Sequence, residues 1–225
     1  NATTGVINAW DPNSDFAVLS LVGAGGRIFA AGYFNTIGGE LRGYIAELDP
    51  SSGLATAWNP TANATVATLQ VQGSVVYAGG YFTNICGQPR NNLAALDTTS
   101  GLATSWDPNP NNPIEILTVS GSTVYVGGTF STIGGQSKTF LAALDATTGL
   151  ADSDFPVTDG LVTKLSLAGT TLYLGGFFGT VKKKKRNLKK IKINLKMKVR
   201  KIKYLLKKYK KLILLSFFYK KISKK

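Results

Sequence analysis

The sequence predicts an all-β chain, a β-propeller-like array of four-stranded antiparallel blades, and three observations carry that reading. Aromatic residues recur at a fixed step of 48: Phe34, Phe82, Phe130 and Phe178; Phe29, Tyr77, Tyr125 and Tyr173; Trp10, Trp58 and Trp106. Each 48-residue unit holds four short runs with strand character, separated by turn residues. No helical stripe of apolar residues occurs in residues 1–181. A fixed step without insertion means that each unit is one supersecondary structure stacked on copies of itself.

The elements are clearest in the third unit. "IEILTVS" (residues 114–120) alternates as a half-buried first strand, Gly121-Ser122 is a turn, and "TVYVGG" (123–128) is a second strand. A loop through Ile133, Gly134 and Gly135 leads to "FLAALD" (140–145), whose nearly continuous apolar run suits a strand buried on both faces. "DATTG" then turns the chain into "LADSDF" (150–155), the fourth strand. Four strands in 48 residues is the size of a propeller blade. Residues 1–181 hold about 3.8 such units, and Asn1 stands at the place of Asp145, in the middle of a unit. The chain is therefore expected to be a fragment or processed product, an incomplete propeller with uncovered strand edges and blade faces.

Each repeated residue has an expected role. The Gly pairs end a strand where a left-handed φ or a close backbone approach excludes a Cβ. Asp49, Asp97 and Asp145 accept bonds from amides of their own turns, with Gly53, Gly101 and Gly149 in the left-handed position. Trp10, Trp58 and Trp106 pack between adjacent blades, since every repeat has to fill the same gap.

A double Gly after an apolar strand, then an apolar strand ending in Asp, a short turn and a Trp, read "VYAGG…LAALDTTSGLATSW" (76–106) and "VYVGG…LAALDATTGLADSDF" (124–155). This pattern resembles the blades of kelch-like and related bacterial β-propeller repeats over residues 1–181. The resemblance implies architecture alone, because such propellers serve as enzymes, adhesins and scaffolds. Two units depart from it: the first has Ala31-Gly32 for Gly-Gly, and the fourth has Asp154 where the Trp would fall.

The candidate chemistry reduces to architecture in the same way. "TVYVGGTFSTIGG" (123–135) lacks both the Gly-Lys-Ser/Thr of a phosphate loop and the G-x-G-x-x-G of a dinucleotide fold, and Gly23-Ala24-Gly25-Gly26 has Ile28 where the last Gly would stand. With no His, metal triads and His-activated nucleophiles are excluded in their usual forms. The single cysteine, Cys86, stands where Gly38 and Gly134 stand in other units and reads as a neutral replacement. "DPNSD" (Asp11, Asn13, Asp15) looks like the start of a calcium loop but lacks its Gly and distal Glu, and reads as a polar turn. Asp152 and Asp154 pair two carboxylates, though no cleft is implied around them. No catalytic, cofactor-binding or metal-ligating residue is assigned, and the expectation is a noncatalytic domain that uses no cofactor.

Charge divides the chain. Residues 1–181 carry all 12 acidic groups and five basic ones (Arg27, Arg42, Arg90, Lys138, Lys164), net −7, whereas residues 182–225 carry 21 Lys or Arg and no acid. The first region, rich in Thr, Asn, Ser and Gly, has the composition of a secreted or cell-surface bacterial domain, acting as a scaffold or as a binding surface for a protein or carbohydrate ligand. The Lys-rich tail is open to three readings: a basic amphipathic segment binding anionic membrane or nucleic acid, a decayed last blade, or read-through or a sequence error in an A-rich gene. "IKINLKMKV" (191–199) alternates like a strand, while Leu188, Ile191, Leu195, Val199, Ile202, Leu206, Tyr209, Ile213 and Phe217 form a helical stripe; both templates fit. The apolar stretch 212–215 is too short to span a bilayer.

Overall fold

In the computed structural model, which describes residues 3–4 and 9–182, the repeat becomes four blades of antiparallel β-structure. In the third unit Ile114–Ser120 pairs with Thr123–Gly128, which pairs on its other edge with Leu141–Asp145. The middle strand therefore satisfies its backbone on both sides. The same order holds for Val18–Ala24, Arg27–Gly32 and Ile45–Leu48 in the first blade, and for Val66–Gln72, Val75–Gly80 and Leu93–Asp97 in the second. Leu161–Ala168 and Thr171–Phe177 form the fourth.

Two details differ from the sequence-based picture. The loop through the second Gly pair is itself a miniature hairpin, Thr132–Ile133 against Gln136–Ser137 in the third unit, and likewise in the first two. The fourth strand shrinks to one bridge per blade, Leu48 with Ala55, Leu96 with Ala103 and Leu144 with Ala151. The chain leaves the sheet early because its next aromatic residue must reach the neighbouring blade. After the Asp152 amide donates to the Ala143 carbonyl (2.9 Å), the backbone turns away and delivers Phe155.

The core lies between blades. Phe29, Ala31 and Ile45 of the first blade meet Val66, Leu69 and Val76 of the second. Tyr77, Leu93 and Ala95 meet Ile114, Leu117 and Val124 in turn, and Leu141 and Ala143 meet Val162 and Leu172. Each Val, Leu or Ile among them contributes about 1.5–3 kcal/mol when fully buried, so a blade without a neighbour forfeits much of its stabilisation.

The tryptophans sit in these gaps. The Trp58 ring meets Phe29 edge-on at 5.1 Å and 74°, and Trp106 meets Tyr77 at 5.3 Å and 78°. Their indole N–H groups donate forward to the Asp97 and Asp145 carbonyls, and Trp10 donates likewise to Asp49. In the fourth unit, where Asp154 replaces Trp, Phe155 one residue later fills the gap with its ring 5.5 Å from Tyr125.

The Asp turns form as the sequence implies. Asp97 Oδ1 accepts the Thr99 and Ser100 amides at 3.0 and 2.7 Å, and Gly101 has φ 74°. These bonds, the Ser100 amide first, hold the Asp97 carboxyl below its ordinary range. The strand-ending glycines serve close approach instead: a Cβ on Gly128 would lie 2.2 Å from the Pro113 carbonyl oxygen.

Candidate functional site: a bulged rim

Each first strand carries a β-bulge near its start. The register slips between Val18 and Ser20, Val66 and Thr68, Ile114 and Ile116, and Val162 and Lys164. The bulged residues are Leu19, Ala67, Glu115 and Thr163. A bulge leaves one residue out of the ladder and re-aims its side chain, and such features gather at rims and binding sites. Beside them stand the residues at the end of each second strand: Tyr33, Tyr81, Thr129 and Phe177. Their position is set by the backbone, since the Tyr33, Tyr81 and Thr129 amides donate to the Ala17, Thr65 and Pro113 carbonyls at 2.9–3.0 Å.

Across the boundary between the second and third blades, the Tyr81 hydroxyl donates to the Glu115 carboxylate. That bond, together with partial burial, pushes the Tyr81 phenol up to about 12. By the 48-residue step, Tyr33 stands to Ala67, and Thr129 to Thr163, as Tyr81 stands to Glu115. Tyr33, Tyr81 and Phe177 are exposed. The rim thus presents aromatic faces, one carboxylate and two threonine hydroxyls on one frame. Core positions repeat the same residue class from unit to unit, whereas the rim changes: Leu, Ala, Glu, Thr at the bulge and Tyr, Tyr, Thr, Phe beside it. The fold does not dictate these side chains. Sequence reasoning missed them because a bulge breaks the alternation that marks a strand; their only signal was variation inside a strict repeat.

The other candidates resolve into structure. Asp15 Oδ1 accepts the Asn35 and Thr36 amides at 2.9 and 3.0 Å; Asn63, Asn111 and Asp159 hold the equivalent pairs, 20 and 21 residues ahead, at 2.8–3.0 Å. The "DPNSD" segment is therefore a latch that ties each inter-blade connection to the next hairpin. Among the described residues, no three His, Cys, Asp or Glu side chains converge as metal ligands. The Asp152 carboxylate accepts the Asp154 amide at 2.8 Å, a local turn bond.

Cys86 takes the left-handed backbone of Gly38 and Gly134, with φ 56° against their 62° and 56°. Its thiol donates to the Gly101 carbonyl at 2.8 Å, and burial pushes the thiol pKa up. Cys86 and Leu102 line a shallow groove of about 550 Å³, and Gly134 and Leu150 line its equivalent of about 380 Å³ in the next unit.

A second repeat escaped the sequence reading. Arg42, Arg90 and Lys138 share the 48-residue step and point inward, where they donate to carbonyls of the following turn: Thr56 (2.6 Å), Thr104 (2.7 Å), and Ser153 and Phe155 (3.0 and 2.8 Å). These cations are pins rather than a polyanion surface. The polyanion reading of the Lys-rich tail falls on residues 183–225, outside the described residues.

This geometry is that of a β-propeller repeat protein. Residues 26–53 match the model of a domain of unknown function (DUF5122) described as a β-propeller. Among solved structures, the computationally designed Ika4 protein is similar at 17% identity and TM-score 0.55, covering 76% of this chain and 91% of that one. The designed Ika8 protein is similar at 17% identity and TM-score 0.52; the match covers 73% of this chain and 44% of Ika8. No curated protein matches.

Proposed function

We propose that this chain is a noncatalytic, kelch-like repeat domain of a secreted or cell-surface bacterial protein, a rigid scaffold whose bulged rim is a recognition surface. The observation that carries this reading is the Tyr81–Glu115 bond: it fixes an exposed aromatic ring and a carboxylate together, across a blade boundary, where the core has no use for either. Aromatic faces with a few placed polar groups suit a carbohydrate, which stacks its C–H faces and spends its hydroxyls on the carboxylate and the threonines. Titration calorimetry against a panel of soluble oligosaccharides tests it. Binding should fall at least about tenfold, the equivalent of 1.4 kcal/mol, in Tyr81→Ala and Glu115→Gln; a panel with no binder would reject the carbohydrate.

A second reading rests on charge. The 21 cations of residues 182–225 favour anionic vesicles or DNA, and cutting the chain after Val181 should then abolish that adhesion.

A further inference from the structure

The rim groups gather around the second blade. Tyr81 ends its strand beside Ala67, the bulged residue of the same blade, which projects only a methyl. Tyr33 stands across the boundary from Ala67 as Tyr81 stands from Glu115, and the two rings are 50% and 44% exposed. The Tyr81 phenol is raised first by the Glu115 bond, then by burial and the Glu115 charge, and last by the Tyr33 phenol, so the two rings share one patch. Glu115 closes its far side, with Oε1 accepting the Tyr81 hydrogen.

The protein leaves the charge of that carboxylate unanswered. Among the described residues, no cation stands within ion-pair distance of Glu115. Arg27 is held by Glu47 and the Thr98 carbonyl, Arg42, Arg90 and Lys138 pin backbone carbonyls, and Lys164 stands on the fourth blade. A carboxylate has about four lone-pair positions, of which the phenol takes one.

We propose that this patch selects a sugar bearing a free ammonium group, as in an oligosaccharide of glucosamine. The inference rests on the rim being a carbohydrate surface and adds the charge of the ligand. An ammonium donates to the open Oε2 in a charge-assisted bond about twice as strong as a neutral one. The tyrosine faces attract the same cation and stack on the C–H face of the ring that carries it. A neutral sugar makes only the weaker bond and leaves the carboxylate uncompensated as water is displaced. An acidic sugar is repelled, so the patch sorts saccharides by charge.

The test is titration calorimetry of the full 225-residue chain with a tetramer of glucosamine and with the fully N-acetylated tetramer, which share backbone and length and differ in charge. The glucosamine tetramer should bind at least about tenfold tighter. Glu115→Gln, which keeps an acceptor for the Tyr81 hydroxyl, should remove most of that preference. The 21 cations of residues 182–225 weigh on both variants alike. Tyr33→Ala, which removes an exposed ring, should weaken the glucosamine tetramer about two- to fivefold. Equal affinity for the two tetramers, or tighter binding of the acetylated one, would overturn the selection by charge and leave the carbohydrate surface standing. A preference undiminished in Glu115→Gln, or a Tyr33→Ala affinity equal to the parent's, would overturn the patch as its source. Binding of no saccharide at all would overturn both readings together.

Discussion

Trp58 donates its indole N–H to the Asp97 carbonyl, 3.1 Å away, and this bond joins two blades that share no sheet. The donor leaves the first blade and the acceptor ends the third strand of the second, while the ring itself rests on Phe29 of the first. One side chain thus fills the gap and fixes the angle across it.

Substitution separates those two contributions. Trp58→Phe keeps ring against ring and loses the N–H, at a cost of about 1 kcal/mol. Trp58→Ala opens a cavity between blades and should cost about 3–5 kcal/mol. Urea denaturation of the two variants reads the difference, and a Phe variant as stable as the parent would mean that the indole bond is idle.

The latch positions forecast a response to acid. The Thr180 amide first, then the Thr180 hydroxyl and the Gly179 amide, lower the Asp159 carboxyl to about 2 from an ordinary 3.8. A lowered carboxyl stabilises the fold above its unfolded value, and that contribution disappears as pH falls from 3.8 through about 2. Asn63 and Asn111 make the same bonds without a charge. Asp159→Asn should therefore keep the fold at neutral pH and flatten the loss of stability over that interval, as followed by fluorescence. An unchanged acid profile would place the sensitivity elsewhere.

The rim pair titrates at the other end of the scale. The Glu115 bond raises the Tyr81 phenol to about 12, so the stabilisation from this group is complete below the ordinary value of 10.0 and is lost as pH rises through about 12. Phenolate absorbance should show Tyr81 titrating late, together with Tyr77, whose phenol burial also raises. Glu115→Gln should bring one of these late tyrosines back toward the ordinary value; a titration unchanged in that variant would mean that the bond to Glu115 does not hold the Tyr81 phenol.

Cys86 stores backbone strain that glycine would release. At a left-handed φ, replacing Cys86 by Gly should raise stability by about 0.5–1 kcal/mol despite the loss of the thiol contact to Gly101. Before replacement the thiol should react slowly with a disulfide reagent, because burial holds down the thiolate. Destabilisation in Cys86→Gly would show that the sulfur contact outweighs the strain.

Legibility followed periodicity. The 48-residue step places Trp58 and Asp97 in repeated structural roles before any geometry is known, since only a packing gap or a turn demands the same residue in every unit. The hairpin at Thr132–Ile133 looks like a loop in the sequence because two residues per arm carry no alternation. The latch was legible as a polar turn but not as a latch, because its amide partners lie 20 and 21 residues away. Glu115 carried no signal of its own: within "IEILTVS" it looks like an ordinary outward residue, and only the slipped register between Ile114 and Ile116 sets it apart.

That slipped register bears on how such a chain changes over time. Because the ladder resumes in step after Ile116, as it does after Ser20, Thr68 and Lys164, exchanging Glu115 for another side chain alters no pairing farther along the strand. Mutation there is screened by what it meets in solution and hardly at all by folding. A duplicated blade therefore arrives as a working structural part with one blank position, free to acquire a specificity its siblings lack.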